Sequence, residues 1–136
     1  MPPSPTGRAG RDASAREGPT NPAATRPDAF YCDAQALDPQ RRKRHFEVLG
    51  PTLVAKRIAV RALGDGYEFE FPSDPVTYRQ LAEWIDGERE CCPLFDLAVH
   101  VGPDHGAIAL RLTGRAGTKA FIEADGKDWV RPVRGR

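Results

Sequence analysis

The sequence predicts an α+β domain, a two-layer sandwich in which a four-stranded, mainly antiparallel sheet is covered on one side by helices in the order α-ββα-ββα. Two observations carry this reading. Two stretches alternate apolar and polar residues with the period of a strand, each broken by a glycine-containing turn and followed by a segment with helical spacing. Two Asp-Pro pairs, Asp38-Pro39 and Asp74-Pro75, each supply an N-cap and then a proline at the first helical position, where its missing N–H costs nothing.

Not all of the 136 residues can join that domain. The first 29 hold six of the 13 prolines, three glycines and almost no large apolar side chain, a composition that cannot bury enough surface to offset chain ordering. The chain therefore divides into a disordered N-terminal arm (1–29), an α+β domain (30–125) and a C-terminal tail (126–136). Four of the 20 basic and three of the 19 acidic residues lie in the arm, so the rest carries 16 of each and is neutral. A general field for nucleic acid or an anionic membrane is absent, and no 18-residue apolar run or secretory leader is present. The expected compartment is the cytoplasm, where an odd set of three cysteines, two of them adjacent, is expected as free thiols and not as a disulfide framework.

The first helix is predicted from Pro39 to Leu49, with Gly50-Pro51 stopping it. A hairpin follows: Ile58, Val60 and Ala62 share one face, Arg57 and Arg61 the other, and after Gly64-Asp65-Gly66 the pattern resumes with Tyr67, Phe69 and Phe71 inward. Glu68 and Glu70 fall on the outer face with the two arginines, where opposite charges across the strands are worth ~0.2–1 kcal/mol per pair. In the second helix Tyr78, Leu81, Trp84 and Ile85 recur at helical spacing, and the stripe continues through Glu88, Cys91 and Cys92 until Pro93. A second hairpin repeats the pattern of the first, with Phe95, Leu97, Val99 and Val101 alternating against Asp96 and His100, then a loop and Ile108, Leu110 and Leu112. Gly114 to Asp125 closes the domain as a helix, and the basic, proline-containing end of the chain follows.

The unusual chemistry lies in Glu88-Arg89-Glu90-Cys91-Cys92-Pro93, which sets two soft sulfur ligands side by side at a helix end. Both sulfurs can address one ion only if the last helical turn relaxes, which Pro93 encourages. Cys32, where the arm ends, could supply a third sulfur if its segment docks on the domain. Three thiolates suit a trigonal ion such as trivalent arsenic or mercury(II); zinc would need a fourth ligand, for which His45, His100 and Asp33 are candidates. The plain alternative is that Cys91 and Cys92 fill the core as small hydrophobes. Glu88 is either an exposed acid on a frayed turn or a partly buried acid behind the thiols. The run Arg41-Arg42-Lys43-Arg44-His45 reads as a solvated helix face with Glu47 pairing to Lys43 or Arg44, and His100 and His105 read as surface histidines. No phosphate loop, nucleophile elbow or aromatic stacking platform is legible.

With Glu88, Arg89, Cys91, Cys92, Pro93, Leu94 and Phe95 in place, followed by Leu112-Thr113-Gly114, residues 30–124 resemble a group of small bacterial α+β proteins marked by a Glu-Arg-x-Cys-Cys-Pro helix end. Leu94 stands where an aromatic residue is usual. The resemblance implies a small α+β domain and a link to thiophilic-metal handling. The expected function is a cytoplasmic binding protein for a soft metal or metalloid ion, with Cys32, Cys91 and Cys92 as ligands, Glu88 behind them, and no catalytic centre. The rivals are a thiol redox or transfer enzyme using Cys91 or Cys92, and an interaction module with structural cysteines.

Overall fold

A computed structural model describes residues 30–134, and the predicted arm of residues 1–29 lies outside the described residues. From Cys32 onward the chain forms one compact unit. Its sheet is the expected four-stranded antiparallel one: β1 (Ala59–Leu63), β2 (Gly66–Phe71), β3 (Asp96–Val101) and β4 (Ile108–Thr113), in the spatial order β1-β2-β4-β3. The fold is thus α+β, with the two hairpins joined through the central β2–β4 pairing. That pairing aligns the apolar residues of both strands directly, Tyr67 opposite Leu112, Phe69 opposite Leu110 and Phe71 opposite Ile108. All six are buried in one cluster with Leu49, Leu53, Leu81, Trp84 and Ile122 from the helices, each such side chain contributing roughly 1.5–3 kcal/mol on leaving water.

The first helix does not stop where the sequence predicts. Pro39–Lys43 (α1) runs into a π-helical segment, Arg44–Leu49, and on into Gly50–Lys56 (α2). Proline inside an α-helix clashes with the carbonyl four residues back. The widened turn before Pro51 relieves this, and the Gly50 N–H donates to the His45 carbonyl five residues back, so Gly50-Pro51 sits within the helical run. The run ends at Arg57, which the alternation assigns to the outer strand face. The structure instead buries it, and its guanidinium donates to the carbonyls of Val54 (2.8 Å), Arg131 (2.8 Å) and Trp129. Burial pulls the Arg57 pKa down from the ordinary arginine value.

The helix α3 (Pro75–Cys91) starts as expected, with the Asp74 carboxylate accepting from the Thr77 N–H at 2.8 Å. Its core stripe, however, is Thr77, Leu81, Trp84, Glu88 and Cys91, steps of four and three residues; Tyr78, one position off this line, is half exposed. On β3 the predicted inward Val99 and Val101 are exposed, because this strand forms the sheet edge beside β4. The chain closes with α4 (Thr118–Asp125) and α5 (Lys127–Val130). The second of these lies in the stretch read from sequence as tail. It packs the partly buried Trp129 against the core, with the indole 4.7 Å from Trp84 and 5.3 Å from Phe69 between ring centres. Among the described residues no helix is long and apolar enough to cross a membrane.

On the outer sheet face Glu68 lies opposite Arg61 on β1 and Arg111 on β4. Its buried carboxylate accepts from both guanidiniums, from Arg111 Nε at 2.8 Å and from Arg61, which joins three strands across one surface. These bonds, the Arg111 one foremost, hold the Glu68 carboxyl below the usual carboxylate range.

Candidate functional site

The site is assembled where α3 ends. Proline disfavours helical backbone in the residue before it, so Cys91 is the last helical residue and Cys92 takes φ −129° and ψ 71°. This is the relaxed final turn that two adjacent sulfurs need to face one region, and they lie 3.9 Å apart. The N-terminal segment docks on the same turn: the Asp33 N–H donates to the Cys91 carbonyl at 2.6 Å, and Arg42 holds the segment through the carbonyls of Ala34 and Leu37. Cys32 is thereby brought to Cys92.

The two are joined in a disulfide, which corrects the expectation of three free thiols. The odd cysteine count and the expected reducing compartment argued for free thiols, but the partner of Cys92 comes from 60 residues earlier, out of reach of any local pattern. Cys91 is the one free thiol among the described residues. The three predicted sulfur ligands therefore do meet, but in this form only one can act as a thiolate. Cys91 is fully buried beside Leu37, and that much of the core-filling alternative holds. Burial, reinforced by the nearby Glu88 carboxylate, pushes its thiol pKa up to about 12.

Glu88 is neither exposed nor frayed. It is buried on the core stripe, and its Oε1 is hydrogen-bonded with His45 Nε2 at 2.9 Å. His45 comes from the π-helical segment and is itself only 3% exposed, far from the solvated face on which the basic run seemed to place it. Apart from Arg42, the rest of that run behaves as a surface: Arg41 pairs with Glu90, Arg44 with Glu83 and Lys43 with Glu47. The signal for His45 was available in its spacing, since His45, Leu49 and Leu53 fall at i, i+4 and i+8 and all three are buried. Its ring stacks on Trp84 at 5.7 Å and 12° and meets the edge of Phe46. The ring also lies against Gly87, where a Cβ would come within 2.6 Å of His45 Nδ1.

Glu88 thus lies at the junction of two donor sets. Its carboxylate is within 4.8 Å of the sulfurs of Cys32 and Cys92, and within the same distance of His45 and Cys91. Both sets adjoin an open cleft of about 1240 Å³, whose wall includes Cys32, His45, Trp84, Glu88, Cys92 and Trp129. The remaining sequence candidates stay apart: His100 is exposed on the edge strand, His105 is exposed in the loop between β3 and β4, and Asp33 caps the turn Ala34–Ala36. The Cys91–His45–Glu88 arrangement is not a nucleophile-base-orienter relay, because the same nitrogen, Nε2, faces both the sulfur (4.0 Å) and the carboxylate. The chain matches no protein-family model, no curated protein and no solved structure.

Proposed function

We propose that this chain is a binding protein for a soft metal or metalloid ion, such as mercury(II) or trivalent arsenic, which it takes up in its reduced form in the cytoplasm. Cys32, Cys91 and Cys92 are the donors and Glu88 is the acid behind them. The observation that carries this reading is the convergence of three sulfurs from two distant parts of the chain, with Cys32 and Cys92 at the wall of an open cleft and Cys91 buried directly behind them. A disulfide alone would need two cysteines, and a packing role would not require the pair to be met by a third. Soft thiolates select soft ions, and three of them suit trigonal coordination. The likeness of the Glu88-Arg89-x-Cys91-Cys92-Pro93 helix end to that of small bacterial proteins linked to thiophilic metals points the same way.

In this reading the disulfide form is the closed state. A small dithiol reductant supplies two electrons and two protons, the Cys32–Cys92 bond breaks, and three thiols become available. Mercury(II) then displaces their protons as sulfur–metal bonds form. Titration of the reduced protein should saturate at one equivalent with sulfur-to-mercury charge-transfer absorption, and the Cys91→Ser/Cys92→Ser variant should lose it. Unchanged binding in that variant would overturn the reading.

The closed disulfide with a third sulfur 3.9 Å away gives thiol exchange a specific foothold. Attack by Cys91 on the Cys92 sulfur would form a Cys91–Cys92 bond and release Cys32 as thiolate. Attack needs a free Cys91 thiolate, which burial disfavours, whereas an ion displaces the proton as its bond to sulfur forms, so ion capture is the better-supported function.

A further inference from the structure

We propose that the disulfide form carries a second, mixed-donor metal site made of His45 Nε2, the Glu88 carboxylate and Cys91 Sγ, which takes a divalent borderline ion of the zinc class with a solvent molecule from the cleft as fourth ligand. The proposal extends the three-sulfur reading, with which it shares Glu88 and Cys91, and it is tested separately from it.

The donors are already gathered. His45 Nε2 lies 2.9 Å from Glu88 Oε1 and 4.0 Å from Cys91 Sγ, and all three ligand atoms are within 4.8 Å of one another. An ion at the usual distances of ~2.0–2.3 Å from nitrogen, oxygen and sulfur spans separations of this size with little movement of the side chains. The charges also match. A carboxylate, a thiolate and a neutral imidazole balance a divalent ion, so the site stays neutral in a buried setting where an unpaired charge is costly. The thiol proton of Cys91 leaves to solvent as the sulfur–metal bond forms. His45 Nδ1 is buried with no hydrogen-bond partner, so the ring proton can reside on Nδ1, and an ion at Nε2 replaces the hydrogen bond between that nitrogen and Glu88.

The second coordination requirement is an approach. His45 and Glu88 line the cleft while Cys91 lies behind them, which gives three protein donors with one open side, the pattern of a site that keeps a fourth position for solvent. The Cys32–Cys92 disulfide removes two of the soft donors and leaves this nitrogen, oxygen and sulfur set, which favours a borderline ion over a soft one. Oxidation would therefore change which class of ion the same pocket holds.

Cobalt(II) is the probe, because in a four-coordinate site it shows visible d–d bands and a thiolate-to-cobalt charge-transfer band, and zinc(II) should displace it. The full chain is oxidised until one thiol per molecule remains, then titrated. One equivalent should bind with both sets of bands. Cys91→Ser should lose the charge-transfer band, and His45→Ala should weaken binding by at least about tenfold, the low end of what even an outer-shell partner costs. His45→Gln, which can still hydrogen-bond Glu88, serves where the alanine variant fails to fold. The Cys32→Ser/Cys92→Ser variant lacks the three-sulfur set and should keep the cobalt bands while losing mercury(II) capture. Absence of the charge-transfer band in the oxidised protein, or cobalt binding of equal strength in His45→Ala and His45→Gln, overturns the mixed site. Failure of the reduced protein to capture mercury(II) overturns only the three-sulfur reading.

Discussion

Replacing Gly87 by alanine sets two effects of opposite sign against each other. Gly87 lies inside α3, four residues before its end, and a glycine in a helix interior is worse than alanine by ~0.8–1 kcal/mol. On helix physics alone Gly87→Ala should stabilise the protein. The new Cβ, however, would lie 2.6 Å from His45 Nδ1, 3.0 Å from Cε1 and 3.4 Å from Cγ. The ring cannot retreat toward Trp84, on which it is stacked, so it must leave its place and give up its hydrogen bond to Glu88. Overpacking of this kind costs ~1–3 kcal/mol, and leaving a buried acid without its donor costs ~1–3 kcal/mol more. The net expectation is a loss on the order of 1–5 kcal/mol. Urea unfolding of the two proteins measures it, and a double-mutant cycle isolates the cause: in a His45→Ala background Gly87→Ala should become stabilising by about 1 kcal/mol. A single Gly87→Ala variant more stable than the parent would refute the packing of His45 against α3 on which the His45–Glu88–Cys91 set depends.

Two further predictions concern the scaffold. Glu68→Gln removes the charge that joins Arg61 and Arg111, and should cost about 1–2 kcal/mol at neutral pH by thermal or urea unfolding. Because the Glu68 pKa is lowered in the folded state, its contribution is fully present above the ordinary carboxyl range near about 4.3 and fades as pH falls through the lower folded value. The gap between parent and variant should therefore close at acid pH; a gap independent of pH would rule out the ionised carboxylate as its source. Opening the disulfide, by Cys32→Ser or by a dithiol, frees a loop with a sequence separation of 60, for which chain entropy sets a stabilisation of ~4 kcal/mol with ~2–4 typical. A melting temperature unmoved by reduction would mean that the N-terminal segment holds its place through the Asp33 and Arg42 bonds alone.

What sequence could reveal followed from which interactions are local. The hairpins, the Asp-Pro helix starts and the inward faces of β2 and β4 are set by neighbours two to four residues apart, and they form as predicted. The errors lie where a distant partner decides. Arg57 alternates as a strand residue yet is captured by carbonyls of Trp129 and Arg131, more than 70 positions later. Val99 and Val101 have the right period, but strand order leaves them on an edge. Gly50-Pro51 carries a strong stop signal that a single widened turn overrides. At the site itself, the three cysteines and Glu88 were legible as a constellation, whereas the disulfide and the His45 contact link residues 60 and 43 positions apart and leave no local trace.

Packing alone gives little reason for the group around Glu88. A carboxylate on the apolar stripe of α3 is costly unless it is bonded, and the bond comes from a histidine that must itself be buried. That histidine fits only because Gly87 has no side chain, and a glycine there costs helix stability. Three consecutive departures from good core-building therefore converge on one point, and a leucine at position 88 would remove the need for all of them. Buried ionic groups are often replaceable by apolar residues without loss of stability. Glu88→Leu combined with His45→Leu should accordingly leave folding intact or improved while abolishing cobalt(II) binding to the oxidised protein. Collapse of the fold in that double variant would instead make the pair structural.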